Sequence, residues 1–265
     1  MKPEELPRVF VLGCQRSGTT LMRLVLNSHP NIHCYGEIKG YGVLEGNRPW
    51  DDFPQEIRAV GFQLPIWTEL FVEYDCIRQH LRPQDNVVFM LRDVLSVVAS
   101  MKKVSDKSKV KGAWMQREIV SRLNDWLKDQ ARGLQRNYGE VLERAKGHPH
   151  EDVIRAAVYW QYKTGAFFQM EALPVYYNSF VHDPAPTLRK VMEMMRLSWS
   201  DQLLEHHKKK HDETGKNGWA MGGTDSARPI DLTSVDKWRD VLSQGEIGAI
   251  LNVAGDMDQK LRRYA

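Results

Sequence analysis

Only three cysteines, Cys14, Cys34 and Cys76, occur in 265 residues, and none stands at C-x-x-C spacing from another. That excludes a disulfide framework and a cysteine-held zinc site, and each is expected to be a small buried thiol. No apolar run approaches the roughly 20 residues that span a bilayer, so no membrane contact is expected. The acidic start "MKPEELPR" reaches a strand-like segment near residue 8, which leaves no room for a signal peptide and gives a cytoplasmic expectation. The charge excess is small, +3, and no arginine-rich arm or interleaving of basic and aromatic residues is present. Nucleic acid is therefore not an expected partner, and any anion site must be local. Internal repeats and low-complexity segments are also missing.

What remains is the composition of an ordinary globular protein, 42% hydrophobic and 27% charged. The reading is one α/β domain over residues 1–265, a P-loop-type parallel sheet flanked by helices. "RVFVLG" at 8–13 is a continuous apolar run ended by glycine, the pattern of a strand buried on both faces. "TTLMRLVLNSHP" follows with Leu21, Leu24, Val25 and Ser28 at helical spacing and stops before Pro30. A second such unit is "NVVFML" at 86–91 followed by "VLSVVASMKK". Three- and four-residue apolar steps predict a long helix from Trp114 to about Ala145, and another helix is expected over Asp152–Gln169. "LPVYYN" at 173–178 reads as a third strand, with helices over 184–195 and 245–263. Glycine-rich residues 212–233 read as a surface loop that can close over a ligand.

The stretch "VLGCQRSGTTL" carries the chemistry. Gly13, four residues, then Gly18 is the spacing of a Walker A loop, but Thr19 stands where the lysine belongs and Thr20 follows it. Backbone N–H groups at a helix N-terminus still bind an anion without that lysine. Arg16 can bring the cation, and the hydroxyls of Ser17, Thr19 and Thr20 can donate to phosphate oxygens. Such a loop suits a single phosphate better than the β- and γ-phosphates of a nucleoside triphosphate. Further on, Arg92 ends a strand and Ser100 lies two helical turns later, so both can converge on a second anion at the carboxyl edge of a parallel sheet.

"RSGTTLMRLVLNSHPNIHCYGE" resembles the 5′-phosphosulfate loop of sulfotransferases that use 3′-phosphoadenosine 5′-phosphosulfate (PAPS), and it is especially similar to the tyrosylprotein sulfotransferases. "LRDVLSVVAS" resembles that family's 3′-phosphate segment. The resemblance extends, with falling specificity, to "LPVYYNSFVHDPAPTLRK" and "GGTDSARPIDLTSVDKWRDVLS". It implies that Arg16, Ser17, Gly18, Thr19 and Thr20 hold the 5′-phosphosulfate, and that Arg92 and Ser100 hold the 3′-phosphate. Tyr177, Ser226 and Arg228 are further cofactor contacts. The resemblance also implies that Glu37, in "CYGEIKG", is the general base, and that PAPS is the cofactor, adenosine 3′,5′-bisphosphate its product, and no metal is required. One departure stands out: relatives carry a lysine where this chain has Gln63, so Lys39 or Arg16 must compensate or turnover is slow.

The expected acceptor is a hydroxyl of a small molecule or carbohydrate, placed ahead of a protein tyrosine because a membrane anchor is lacking. Two rivals stand beside this reading, a P-loop kinase without the lysine and a non-catalytic nucleotide-binding protein of the same fold. The kinase needs Mg²⁺ ligands, yet "FMLRD" sets Arg92 before Asp93. His29 and His33 are alternative bases. The run "EHHKKKH" reads as a solvated helix face rather than a metal site, although His207 and His211 have suitable spacing. Oligomeric state is left open.

Overall fold

A computed structural model describes residues 3–65, 80–108, 124–211, 219–220 and 224–265. Five parallel strands form the main sheet: β1 (Arg8–Gly13), β2 (Ile32–Tyr35), β3 (Ala59–Gln63), β4 (Asn86–Leu91) and β5 (Leu173–Tyr176), in the order β2-β3-β1-β4-β5. The helices are α1 (Thr19–Ser28), α2 (Glu37–Leu44), α3 (Val94–Ser108), α4 (Asn124–Ala145), α5 (Glu151–Gly165), α6 (Tyr177–His182), α7 (Pro184–Met194) and α8 (Gln244–Leu261). Trp219–Ala220 and Thr224–Asp225 form a separate antiparallel pair, β6 and β7.

Both faces of the sheet are covered, as the apolar runs require. Alternation along β1 sends Val9 and Val11 to one side, where they meet Met22, Val25 and Leu26 of α1 and Leu188 and Val191 of α7. Phe10 and Leu12 point to the other side, against residues of α3, α5 and α8 that include Val97, Trp160 and Ile250. Each such large side chain, removed from water, contributes about 1.5–3 kcal/mol. Below the sheet, the Arg8 guanidinium is bound to the buried Asp85 carboxylate, tying the start of β1 to the turn before β4.

β1 sits in the middle, and the chain leaves it in one direction toward β2 and β3 and later crosses to β4 and β5 on the other side. The carboxyl ends of β1 and β4 therefore flank the point where the strand order reverses, which is where open parallel sheets bind ligands. The register pairs Gly13 with Met90 and Leu91 with Tyr176. Arg92 and Tyr177 thus leave the sheet side by side, level with the loop after Gly13.

Several expectations need correction. The third strand ends at Tyr176, and Tyr177 opens α6 instead of lying within a strand. The helix over 152–169 is α5 plus a 3₁₀ turn at Ala166–Gln169. The run 205–211 is a solvated face only in part, with Glu205, Lys208, Lys209 and Lys210 exposed. His206 and His211 are buried, and the His211 ring bonds Asn27 and the His206 carbonyl. Cys76, the start of the long helix expected from Trp114 and part of the glycine-rich loop lie outside the described residues.

Candidate active site

The loop after β1 turns tightly on two glycines and one arginine with positive φ: Gly13 at 135°, Arg16 at 72° and Gly18 at 99°. A Cβ on Gly13 would stand 2.6 Å from the Met90 carbonyl oxygen, and one on Gly18 would stand 2.4 Å from the Tyr177 ring. Glycine is required at both by close approach as well as by conformation. Ser17 closes the turn, its amide and its Oγ both donating to the Cys14 carbonyl, at 3.1 and 2.6 Å. Helix α1 then starts at Thr19 with no side-chain cap, so its N-terminal amides and dipole are directed to the cleft.

The cleft, about 220 Å³, is lined by Arg16, Thr19, Thr20, Arg92, Ser100 and Tyr177, with residues of the 224–234 segment on its far side. A larger cavity of about 1090 Å³ opens at the opposite, amino-terminal edge of the strands, beside Pro7, Arg58 and Asn86. The chemistry-bearing residues belong to the smaller one. Arg92 is its buried cation. Its Nη1 donates to the Arg16 carbonyl at 3.1 Å, its Nη2 to the Ser234 carbonyl at 2.6 Å, and its guanidinium lies 4.1 Å from the Tyr177 ring centroid. Nε is buried without a hydrogen-bond partner, and burial pushes the group below its usual pKa. Among the described residues no carboxylate forms an ion pair with it. A desolvated guanidinium held by neutral acceptors is built to receive an anion.

Arg16 does not point along its own loop. Its Nε donates to Ser100 Oγ at 2.8 Å, so the loop arginine and the α3 serine share one end of the cleft. Arg228 lines the far wall but its guanidinium is paired with Asp231, at 2.8 Å. Ser226 is buried nearby and is not part of the lining.

Glu37 opens α2 just beyond β2. Two strand spacings separate β2 from β1, about 10 Å, so the carboxylate stands across β3 from the phosphate loop. Gln63, at the end of β3, fills the gap and donates through Nε2 to Thr20 Oγ1 at 3.0 Å. Lys39 is held by Asp51 at 2.7 Å, and His33 meets the same carboxylate at 3.1 Å. His29 caps α1, its Nε2 at 2.9 Å from the Ser198 carbonyl.

Sequence reasoning placed a helix over 152–169 but missed that it braces this edge. Along one face of α5, Tyr159 OH bonds Gln15 of the loop at 3.2 Å, Trp160 Nε1 donates to the Arg92 carbonyl at 3.1 Å, and Lys163 Nζ donates to the Pro65 carbonyl at 2.6 Å. The signal was present in "VYWQYKTGAFF", a lysine inside an apolar helix segment. On the α8 side, Asp258 accepts from the first amide of α3 at 2.8 Å and pairs with Arg262 at 3.0 Å, which fixes the helix that carries Ser100.

A strand, a tight glycine loop without the lysine and a second basic strand end at one switch point define an α/β fold of the P-loop type. A model of the sulfotransferase family matches residues 7–60. Protein-tyrosine sulfotransferase 2 of Gallus gallus is 23% identical over 270 residues, which cover 89% of this chain and 64% of that protein. Among solved structures, the sulfotransferase domain of the Synechococcus PCC 7002 olefin synthase has a TM-score of 0.58 at 15% identity, covering 97% of each chain. Mouse sulfotransferase SULT7A1, solved in complex with PAP, has a TM-score of 0.51 at 14% identity over 98% of this chain and 89% of its own. The chain is thus similar over most of its length, at low identity, to protein-tyrosine sulfotransferases, and a stretch of 36 residues is 47% identical to protein-tyrosine sulfotransferase 1 of Homo sapiens.

Proposed function

We propose that this chain transfers a sulfuryl group from PAPS to an acceptor hydroxyl. The observation that carries the reading is Arg92, buried, with Nε unpartnered, and aimed with Arg16 and Ser100 at one end of a cleft whose other end is the α1 N-terminus. Two anion sites lining one cleft fit a nucleotide phosphorylated at both 3′ and 5′ positions, and the neutral acceptors around Arg92 leave its charge for a phosphate.

In this reading Arg92, Ser100 and Arg228 hold the 3′-phosphate, with Ser226 behind them. Gly18, Thr19, Thr20 and Arg16 hold the 5′ side, Ser17 closes the turn beneath them, and Tyr177 packs against Gly18 and Arg92. When bound, PAPS brings the sulfuryl group and a phosphate leaving group. The loop amides and hydroxyls orient that end and offset charge on its oxygens without a metal. Glu37, across β3, accepts the proton of the acceptor hydroxyl, which enters over Gln63. The acceptor is a hydroxyl compound: the name of the chicken relative makes a tyrosine phenol one arm of the test, and a small-molecule or carbohydrate alcohol is the other.

Calorimetric titration with adenosine 3′,5′-bisphosphate, with ADP as control, tests the cofactor. Preferential binding of the 3′-phosphorylated nucleotide is expected, weakened roughly 10- to 100-fold in Arg92→Ala, the loss of one or two charge-assisted hydrogen bonds. Preference for ADP, or no binding of either, overturns the reading. Radiolabelled sulfate transfer to a tyrosine peptide and to simple alcohols then separates the acceptor classes.

A further inference from the structure

Arg228, which the resemblance assigns to the 3′-phosphate, is already bonded to a carboxylate. Its Nε stands 2.8 Å from Asp231 Oδ2 and its Nη2 donates to Oδ1 at 2.9 Å, the two-pronged fork that a guanidinium also makes with a phosphate. Oδ1 accepts as well from the Thr233 amide at 2.9 Å and from Thr233 Oγ1 at 2.6 Å. Arg228 and Asp231 both line the cleft that holds Arg16, Arg92 and Ser100. Burial works against the Asp231 carboxylate, but the two Thr233 bonds and the Arg228 charge hold it below its usual range, so it stays ionised at neutral pH. Arg92 is the contrast: it is sealed among neutral carbonyl acceptors, which leave its charge for a ligand.

We propose that Asp231 competes with the 3′-phosphate for Arg228 and so limits how tightly the cleft holds its nucleotide. The role rests on the reading of this cleft as a site for a 3′-phosphorylated nucleotide; the fork between the two side chains does not. Arg228 is exposed, and an exposed ion pair is worth little, so an arriving phosphate can take the guanidinium over. Thr233 keeps its two bonds to Asp231 during that exchange, and the carboxylate stays on the cleft wall as a fixed negative charge. Affinity for the nucleotide is then lowered by the fraction of chains in which Asp231 holds Arg228. An enzyme gains from this at the end of its cycle, because a product that shares its arginine with an internal carboxylate leaves sooner.

The test is calorimetric titration of the full chain, of Asp231→Asn and of Asp231→Asn/Arg228→Ala with adenosine 3′,5′-bisphosphate and with AMP, which lacks the 3′-phosphate. Asparagine matches aspartate in size and can still accept from Thr233, but it brings no charge to the fork. In Asp231→Asn the bisphosphate is expected to bind about three- to tenfold tighter and AMP about as in wild type, with the gain lost in the double variant. Unchanged or weaker binding of the bisphosphate, an equal gain for both nucleotides, or a gain that survives the loss of Arg228 overturns the proposal. If Asp231→Asn does not fold, wild type decides: the Arg228 Nε–H resonance, assigned by its absence in Arg228→Lys, must shift with the bisphosphate and not with AMP, and an unmoved resonance overturns the competition. Failure of wild type and Asp231→Asn alike to bind the bisphosphate is a different result, which removes the nucleotide reading and the competition with it. Wild-type binding that Asp231→Asn does not improve removes only the role given to Asp231.

Discussion

Arg16 Nε donates to Ser100 Oγ at 2.8 Å, linking the phosphate loop to a helix that begins more than seventy residues later. Neither residue is then an independent ligand for a phosphate. Calorimetry with adenosine 3′,5′-bisphosphate on Arg16→Ala, Ser100→Ala and the double variant is expected to show coupling of about 0.5–3 kcal/mol, the range for residues in contact. Simple additivity would mean that the two act on separate parts of the nucleotide.

Gly18→Ala is expected to destabilise the fold by about 1–3 kcal/mol, since the new methyl meets the Tyr177 ring at 2.4 Å at a φ of 99°. The damage should also reach Arg92, which lies over the same ring. Thermal unfolding together with nucleotide titration checks both effects. A variant with wild-type stability and affinity would show that the ring moves aside freely.

Glu37→Gln preserves size and removes the carboxylate proposed as proton acceptor. Sulfate transfer is expected to fall about 10²- to 10⁴-fold, with affinity for adenosine 3′,5′-bisphosphate changed less than about twofold. Equal loss of binding and transfer would assign Glu37 to the cofactor site instead.

Lys163 gives the fold a specific pH dependence. Its pKa falls from 10.5 in the unfolded chain to about 7 in the folded one, so between these values the unfolded chain binds the extra proton. Stability contributed through this group therefore rises with pH across the window and is lowest below about 7. Denaturant unfolding of wild type and Lys163→Met below pH 7 and near pH 10 is expected to show the difference shifting in favour of wild type at the higher pH. A difference independent of pH would mean that the folded lysine titrates normally.

How much of this was legible in the sequence depended on whether the signal was local. β1 and β4 are continuous apolar runs, and the loop between Gly13 and Gly18 has its own spacing, so strand and turn could both be read. β2 and β3 could not. "IHCY" is short and half polar, and "AVGFQ" is broken by Gly61. That glycine exists because a Cβ there would strike Cys34 Sγ of β2 at 2.2 Å, a packing need invisible along the chain. Tyr177 was proposed as a site residue from resemblance, but its backbone state was misread, because the strand ends at Tyr176, two residues before the expected end, and Tyr177 opens a helix with its ring under Gly18. Lys163 was missed outright: a lone lysine in a helix segment is ordinarily a surface residue, and only the docking of α5 against the strand ends makes it an internal charge.

The all-parallel sheet has one more consequence. No two of its strands are hairpin partners, and the cleft is made by Arg16, Arg92 and Ser234, with Trp160 bracing Arg92 from behind, residues that come together only after long crossovers have closed. Such pairing carries its loop-closure entropy before it is rewarded, so folding should be slow and nearly all-or-none in its effect on the site. Nucleotide affinity would then report completed assembly of the whole chain, and a truncated fragment ending before residue 234 would lack it even with the phosphate loop intact.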